Sequence, residues 1–345
     1  MHQLQGEPIV EVTRGDLVES IHHVAACASN AGGDVFFSTG NIDTPVFLRS
    51  TAKPFIAAAA IEAGVREAFG LNMREIAVMA ASHSGEPFHV EAVRSILEKI
   101  GLDESALQCG VHLPYNEAAA HALIRAGEKP TPIYNNCSGK HAGILALCKV
   151  IGADISTYLE VSNPAEQYIL NFCARMSDDD PATWPLGVDG CGIPVYATSL
   201  RRAALAFARF ASLEGLNSRD AMALLIVRDA MVYHPEYVSG TGELDTRLMQ
   251  TAAGSVACKA GAEGVHGVAA MPQGAGFVSK VIDGTSRARA PVTMAALRAL
   301  GTLTEEQATE LRAFEHPIVY NRAGRRVGEI RVSPNFAVEE ASSRT

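Results

Sequence analysis

The sequence predicts an α+β fold: an antiparallel sheet built from N- and C-terminal strands, with a large helical insert between them. Three observations carry this reading. The first fifty residues alternate and carry β-branched side chains, as half-buried strands do. From Ser50 to about Thr251 the apolar residues recur at helical spacing. After Lys259 short apolar segments return. Strands, then helices, then strands is the order of a segregated fold, not of the βαβ alternation that makes a parallel sheet.

Ile9–Thr13, Val18–Ala28 and Val35–Phe37 read as the opening strands. Asn30-Ala31-Gly32-Gly33 supplies a hairpin turn between the last two. Pro45-Val46-Phe47-Leu48 is a further β-prone run. Helical spacing then marks Phe55–Ala63, Met73–Ala81, His89–Ile100, Glu117–Ala126, Ala142–Ile151, Ala165–Met176, Leu200–Ala211 and Ser218–Tyr233. Val265–Met271 and Phe277–Asp283 return as strands. Val292–Leu300 is a late helix with room to extend to Phe314, and Arg326–Val332 is the last strand. No linker interrupts the series. Residues 1–345 therefore read as one domain, with a helical subdomain at about 50–255 and a sheet subdomain at about 1–49 and 256–345.

Composition narrows the function classes. A chain of 345 residues with 48% hydrophobic and 19% charged residues has the make-up of a soluble globular protein. The formal net charge is −9 and no basic run occurs, which argues against nucleic acid and anionic membranes as partners. No apolar run is long enough to span a bilayer. Met1–Pro8 lacks the basic-then-apolar order of a signal peptide. Seven cysteines, an odd number without an export signal, point to free thiols in a reducing cytoplasm rather than a disulfide framework.

Five short stretches offer chemistry. Ser50-Thr51-Ala52-Lys53 is a Ser-x-x-Lys at the start of a helical stretch. Residues three apart share a helix face, so the Lys53 amine can reach the Ser50 hydroxyl. A serine beside an amine held neutral is an activated nucleophile, and Ser-x-x-Lys is the first signature of the β-lactamase and penicillin-binding-protein machinery. Arg49, just before it, is suited equally to gripping a substrate carboxylate and to pairing with a carboxylate of the protein itself. Ala81-Ser82-His83-Ser84-Gly85 ends a helix in a polar loop, where Ser82 can serve as proton relay or second nucleophile. Asn135-Asn136-Cys137-Ser138-Gly139-Lys140-His141 opens an apolar helix and lacks the spacing of a Walker A loop. Val188-Asp189-Gly190-Cys191-Gly192 holds a thiol and a carboxylate in a glycine-rich turn. Cys137 and Cys191 together could hold zinc, with Lys140, His141 or Asp189 as candidates for the remaining positions. No Cys-x-x-Cys supports that reading. Cys258-Lys259-Ala260-Gly261 falls where penicillin-recognising enzymes carry Lys-Thr-Gly. The chain has only seven lysines, so three of them in such settings carry more weight than any one.

Taken together these stretches resemble the rhizobial-type L-asparaginases, the asparaginase class with a serine-β-lactamase-like fold. The resemblance rests on Pro8–Gly15, Pro45–Lys53, Ala81–Gly85, Asn136–Gly143, Val188–Pro194 and Lys259–Gly264, and runs over most of the chain. It implies hydrolysis of L-asparagine to L-aspartate and ammonia by two Ser–Lys tandems, Ser50 with Lys53 and Ser82 with a distal lysine matched by Lys259. It implies a zinc site of Cys137, Cys191 and Lys140, lined by Asp189 and His141. The substrate-binding candidates are Arg49, Asn136, His141 and Asp189. It also implies a homodimer. Ser50 is the favoured nucleophile on the local Ser-x-x-Lys spacing. Two other readings stay open: a glutaminase or other Ser–Lys amidohydrolase, and a zinc- or redox-sensing binding protein in which Cys137 and Cys191 are the functional pair.

Overall fold

The computed structural model describes residues 4–334. They fall into two compact units: one holds residues 4–51, 197–215 and 247–334, the other 52–196 and 216–246.

The first unit is built on a sheet of eight strands: β1 (Glu7–Arg14), β2 (Leu17–Asn30), β3 (Val35–Thr39), β4 (Val256–Ala260), β5 (Val265–Ala270), β6 (Ala275–Val281), β7 (Ile318–Tyr320) and β8 (Arg326–Val332). Their order is β7-β8-β1-β2-β6-β5-β4, with β3 also paired to β2, and every pairing is antiparallel. N-terminal β1 thus pairs with C-terminal β8, Val10 opposite Val332, and N-terminal β2 pairs with β6, Cys27 opposite Val278. This is the sheet the sequence predicts from its two ends. The hairpin at Asn30–Asp34 is closed by Asn30 and Asp34 backbone groups and by the Asn30 side chain. Strand β4, which carries Lys259, is an addition to the expected late strands.

The helix Leu200–Ser212 belongs to this sheet unit and not to the helical insert where the sequence pattern placed it. A methyl group on Gly276 of β6 would lie 2.1 Å from the Ala204 carbonyl oxygen, so only glycine lets this helix sit so close. The next residue, Phe277, points to the opposite face, where it lines a groove with Val292 and Ala296 of the helix Arg289–Ala299. The sheet is therefore covered on both faces. Helical periodicity identifies an amphipathic helix but not the layer that receives its apolar face.

The second unit is a helical assembly. Its central helix, Lys53–Glu62, buries nine of its ten residues, as a helix apolar on all sides must. It packs against Ser138–Ile151, Pro164–Ser177 and Ser218–Tyr233. The flanking helices have ordinary ends: Asn72 and Glu75 form a capping box at Met73–Met79, and Gly152, with φ +71°, closes Ser138–Ile151. Among the described residues no helix is long and apolar enough to cross a membrane.

Candidate active site in the helical unit

Lys53 begins the central helix, and its side chain is 1% exposed. Its amine makes three hydrogen bonds: to the Ala81 carbonyl oxygen at 2.6 Å, to Ser82 Oγ at 2.9 Å and to Cys137 Sγ at 3.2 Å. Burial drives the Lys53 pKa below that of an ordinary lysine. The Cys137 sulfur opposes that shift and the nearby Lys140 charge adds to it.

The Ser82 segment is irregular backbone, so its position depends on its anchors. Ser82 N–H donates to the Val238 carbonyl (2.9 Å) and His83 N–H to the Asn136 carbonyl (3.1 Å). Glu86 accepts from Ser84 Oγ, Thr241 N–H and Thr241 Oγ, each at 2.8 Å. Gly85 turns with φ +76°, and a side chain there would meet Pro114 at 2.9 Å.

Behind Lys53 lies a sulfur-rich pocket. The Cys137 and Cys191 thiols are hydrogen-bonded to each other, and the Lys140 amine lies 2.9 Å from Cys191 Sγ. Cys137, Lys140 and Cys191 are each no more than 5% exposed. The hydrogen bond from Cys191 holds Cys137 well below the usual thiol range despite burial, with the Lys140 and Lys53 charges acting the same way. Cys191, which gives that hydrogen bond and is buried, is pushed up. Burial alone would lower Lys140, yet the two sulfurs and Asp189 hold it above the normal lysine value. Two sulfurs and one amine converging on one spot is a donor set that fits a zinc ion, whose ligands must be deprotonated.

The remaining expected residues surround this pocket. Asp189 caps its own turn, accepting from Gly190 N–H at 2.9 Å, with Cys191 Sγ at 3.8 Å. Asn136 N–H donates to His112 Nε2 at 3.0 Å. His141 is fully buried, with Nδ1 2.8 Å from the Tyr158 hydroxyl. That hydroxyl also accepts from Gln108 N–H at 2.7 Å. His141 Nε2 is buried without a hydrogen-bond partner among the described residues.

Ser50, Arg49 and Lys259 lie in the sheet unit. Ser50 is half-buried on the turn Arg49–Ala52. Arg49 holds φ +52°, the left-handed region that a non-glycine residue rarely adopts. Lys259, fully buried, stands opposite Gly267 in the β4–β5 pair, and Thr51 packs against both Gly267 and Gly261. Lys259 Nζ donates to the Ala260 carbonyl at 2.6 Å. The structure thus groups the expected residues as Lys53 with Ser82 and Cys137, Lys140 with Cys191, and the Ser50 turn beside the Lys259 strand. Within the helical unit the Lys53 amine hydrogen-bonds to the Ser82 and Cys137 segments. Sequence reasoning did not single out His83, His112 or Tyr158. His83 stood inside the quoted Ala81–Gly85 stretch, while the other two lie in segments with no motif.

A family model described as L-asparaginase II matches residues 10–332. No curated protein matches the chain. Among solved structures, the native form of Mglu in 4.3 M NaCl is similar over 81% of this chain at 13% identity and a TM-score of 0.36. The chain spans 60% of the length of that structure. A putative β-lactamase from Bacteroides dorei is similar over 75% of this chain and 84% of its own, at 16% identity and a TM-score of 0.41. At those TM-scores the likenesses add nothing to the strand order described above.

Proposed function

The chain belongs to the L-asparaginase II family, and on that premise we propose that it hydrolyses the side-chain amide of L-asparagine to L-aspartate and ammonia, with Ser82 and Lys53 as the reacting pair. One observation carries the assignment: the buried Lys53 amine lies 2.9 Å from the Ser82 hydroxyl, with the Ala81 carbonyl and the Cys137 sulfur as its other two partners. Desolvation favours the uncharged amine, whose lone pair can take the Ser82 proton.

In the proposed reaction the Ser82 oxygen attacks the amide carbon as its proton passes to Lys53 Nζ. The C–N bond breaks, Lys53 returns the proton to the departing nitrogen, and ammonia leaves. Water then attacks the ester, giving one proton to Lys53 and on to Ser82 as aspartate departs. Cys137, Cys191 and Lys140 are the residues to hold Zn²⁺, with His141 and Asp189 beside them. When bound, the ion would supply a fixed positive charge for a polar end of the substrate.

Ser50 with Lys259 is the second reading of the same chemistry. It is favoured by the left-handed Arg49 just before the serine and by the buried lysine on the strand that Thr51 packs against. Outliers of this kind cluster at functional sites. Mass spectrometry of protein mixed with an amide substrate or a reactive analogue separates the two. The acyl group is expected on Ser82 and absent from Ser82→Ala; an adduct on Ser50 in both proteins refutes the first assignment. Ammonia release from L-asparagine and L-glutamine, measured side by side, fixes the substrate, because one methylene is worth only about 1–3 kcal/mol in a pocket. A homodimer, implied by the family resemblance, is tested by light scattering of the purified protein.

A further inference from the structure

We infer that His83 is a positioning residue that sets the gap in which the Lys53 amine sits; the inference rests on the assignment of Ser82 and Lys53 as the reacting pair. The amine's three partners come from two segments, Ala81–Ser82 and Cys137. Neither segment lies in the interior of a helix or strand, so the separation between them depends on whatever ties them together. His83 follows Ser82 and makes that tie twice. Its backbone N–H donates to the Asn136 carbonyl at 3.1 Å, and its ring Nε2 lies 2.9 Å from Ser138 Oγ. Asn136 and Ser138 flank Cys137.

The hydrogen bonds fix the tautomer. Gly85 N–H donates to His83 Nδ1 at 3.2 Å, so the ring proton is on Nε2. Ser138 gives its own proton to the Ile133 carbonyl at 2.8 Å, leaving an oxygen lone pair to accept from Nε2. His83 and Ser138 are both fully buried, so water has no access to replace these contacts. A second ring supports the first. His89 stacks on His83 with centroids 5.0 Å apart. It repeats the pattern, accepting from Glu86 N–H at Nδ1 and donating from Nε2 to the Glu236 carbonyl at 2.8 Å. The loop carrying Ser82 is thus clasped on one side to the Cys137 turn and on the other to the Glu236 segment.

The position needs an acceptor and a donor at opposite ends of one rigid ring, and no amide side chain supplies both. Asparagine can reproduce the acceptor toward Gly85 but falls short of Ser138. Glutamine can reach Ser138 but gives up the Gly85 contact. The inference therefore separates two conservative variants by which contact each retains. In full-length protein, His83→Asn and Ser138→Ala are expected to lower kcat for L-asparagine about 10- to 100-fold, the scale of a misplacement near 1 Å, with KM changed less than about threefold. His83→Gln is expected to recover most of that kcat. Hydrogen exchange read by mass spectrometry should rise about tenfold or more, in His83→Asn and Ser138→Ala, over residues 82–86 and 135–140 together.

Equal kcat losses in His83→Asn and His83→Gln would overturn the inference. So would faster exchange in both segments with kcat unchanged, or exchange left as in the parent protein. If Ser82→Ala retains full activity, the underlying assignment of the reacting pair fails, while the exchange data still report on the clasp.

Discussion

Replacing Glu166 with glutamine should stabilise the protein in alkaline solution and change little in acid. Glu166 is 2% exposed in the helix Pro164–Ser177, and its Oε1 has no hydrogen-bond partner among the described residues. Burial pushes its pKa from 4.5 up to about 8, against a weaker downward pull from the Lys140 charge. The folded protein therefore holds a proton that the unfolded chain releases above pH 4.5. Between that value and about 8 the native state binds more protons, so folding stability falls as pH rises. Integrated from pH 5 to pH 9, the loss is about 4 kcal/mol. Glutamine is close in shape and cannot ionise, so Glu166→Gln removes the pH dependence. Urea unfolding of both proteins at pH 5 and pH 9 should show the variant gaining about 4 kcal/mol relative to the parent across that interval. A stability difference independent of pH would refute the reasoning, since it would mean that Glu166 ionises as readily folded as unfolded. The consequence reaches the site. An ionised Glu166 would favour the protonated form of Lys140, whereas a metal ligand must be an uncharged amine; a neutral carboxyl does not oppose that loss.

Three further expectations follow from the site's electrostatics. With Lys53 as base, kcat should climb with pH and level off below the ordinary lysine value of 10.5, because its pKa is lowered; a rate flat from about pH 6 to about pH 10 would exclude a lysine base. His89, whose pKa burial lowers from 6.5 to about 4, binds fewer protons folded than unfolded. It should cost up to about 3 kcal/mol of stability as pH falls through that window, and urea melts of His89→Gln at pH 7 and pH 4 should show a correspondingly smaller loss. Zinc should bind with a stoichiometry near one per chain by plasma mass spectrometry and be lost in Cys191→Ser. Identical KM and thermal stability in metal-stripped and zinc-loaded protein would argue against a positioning role for the ion.

The sheet was legible because its information is local. Alternation in β1 and β2 and the glycines at residues 32 and 33 are properties of neighbouring residues, and antiparallel pairing of the chain's two ends needed only their order. Where the helix Leu200–Ser212 docks was not legible. Its apolar stripe fits a sheet or another helix equally well, and the deciding feature is Gly276, a missing side chain more than sixty residues away that leaves room for a backbone. The same limit governed the site. Cys137 and Cys191 could be paired because few residue types bind a metal, whereas Lys140 was singled out from His141 and Asp189 only by the family resemblance.

Helical spacing fixes where Cα atoms stand and not where a four-carbon stem carries its amine. Lys53 is buried on all sides, so its amine needs hydrogen-bond partners, and its acceptors include a helix-end carbonyl at Ala81 and the Cys137 sulfur, with the Ser82 hydroxyl 2.9 Å away. Those acceptors come from segments 28 and 84 residues away along the chain, and they stay in range only because buried hydrogen bonds such as that from His83 to Ser138 hold two irregular loops together. A motif names the reacting groups, but in this chain the partner of the amine is decided by which loops are clasped around it. Loosening the clasp should therefore cost turnover before it costs substrate binding.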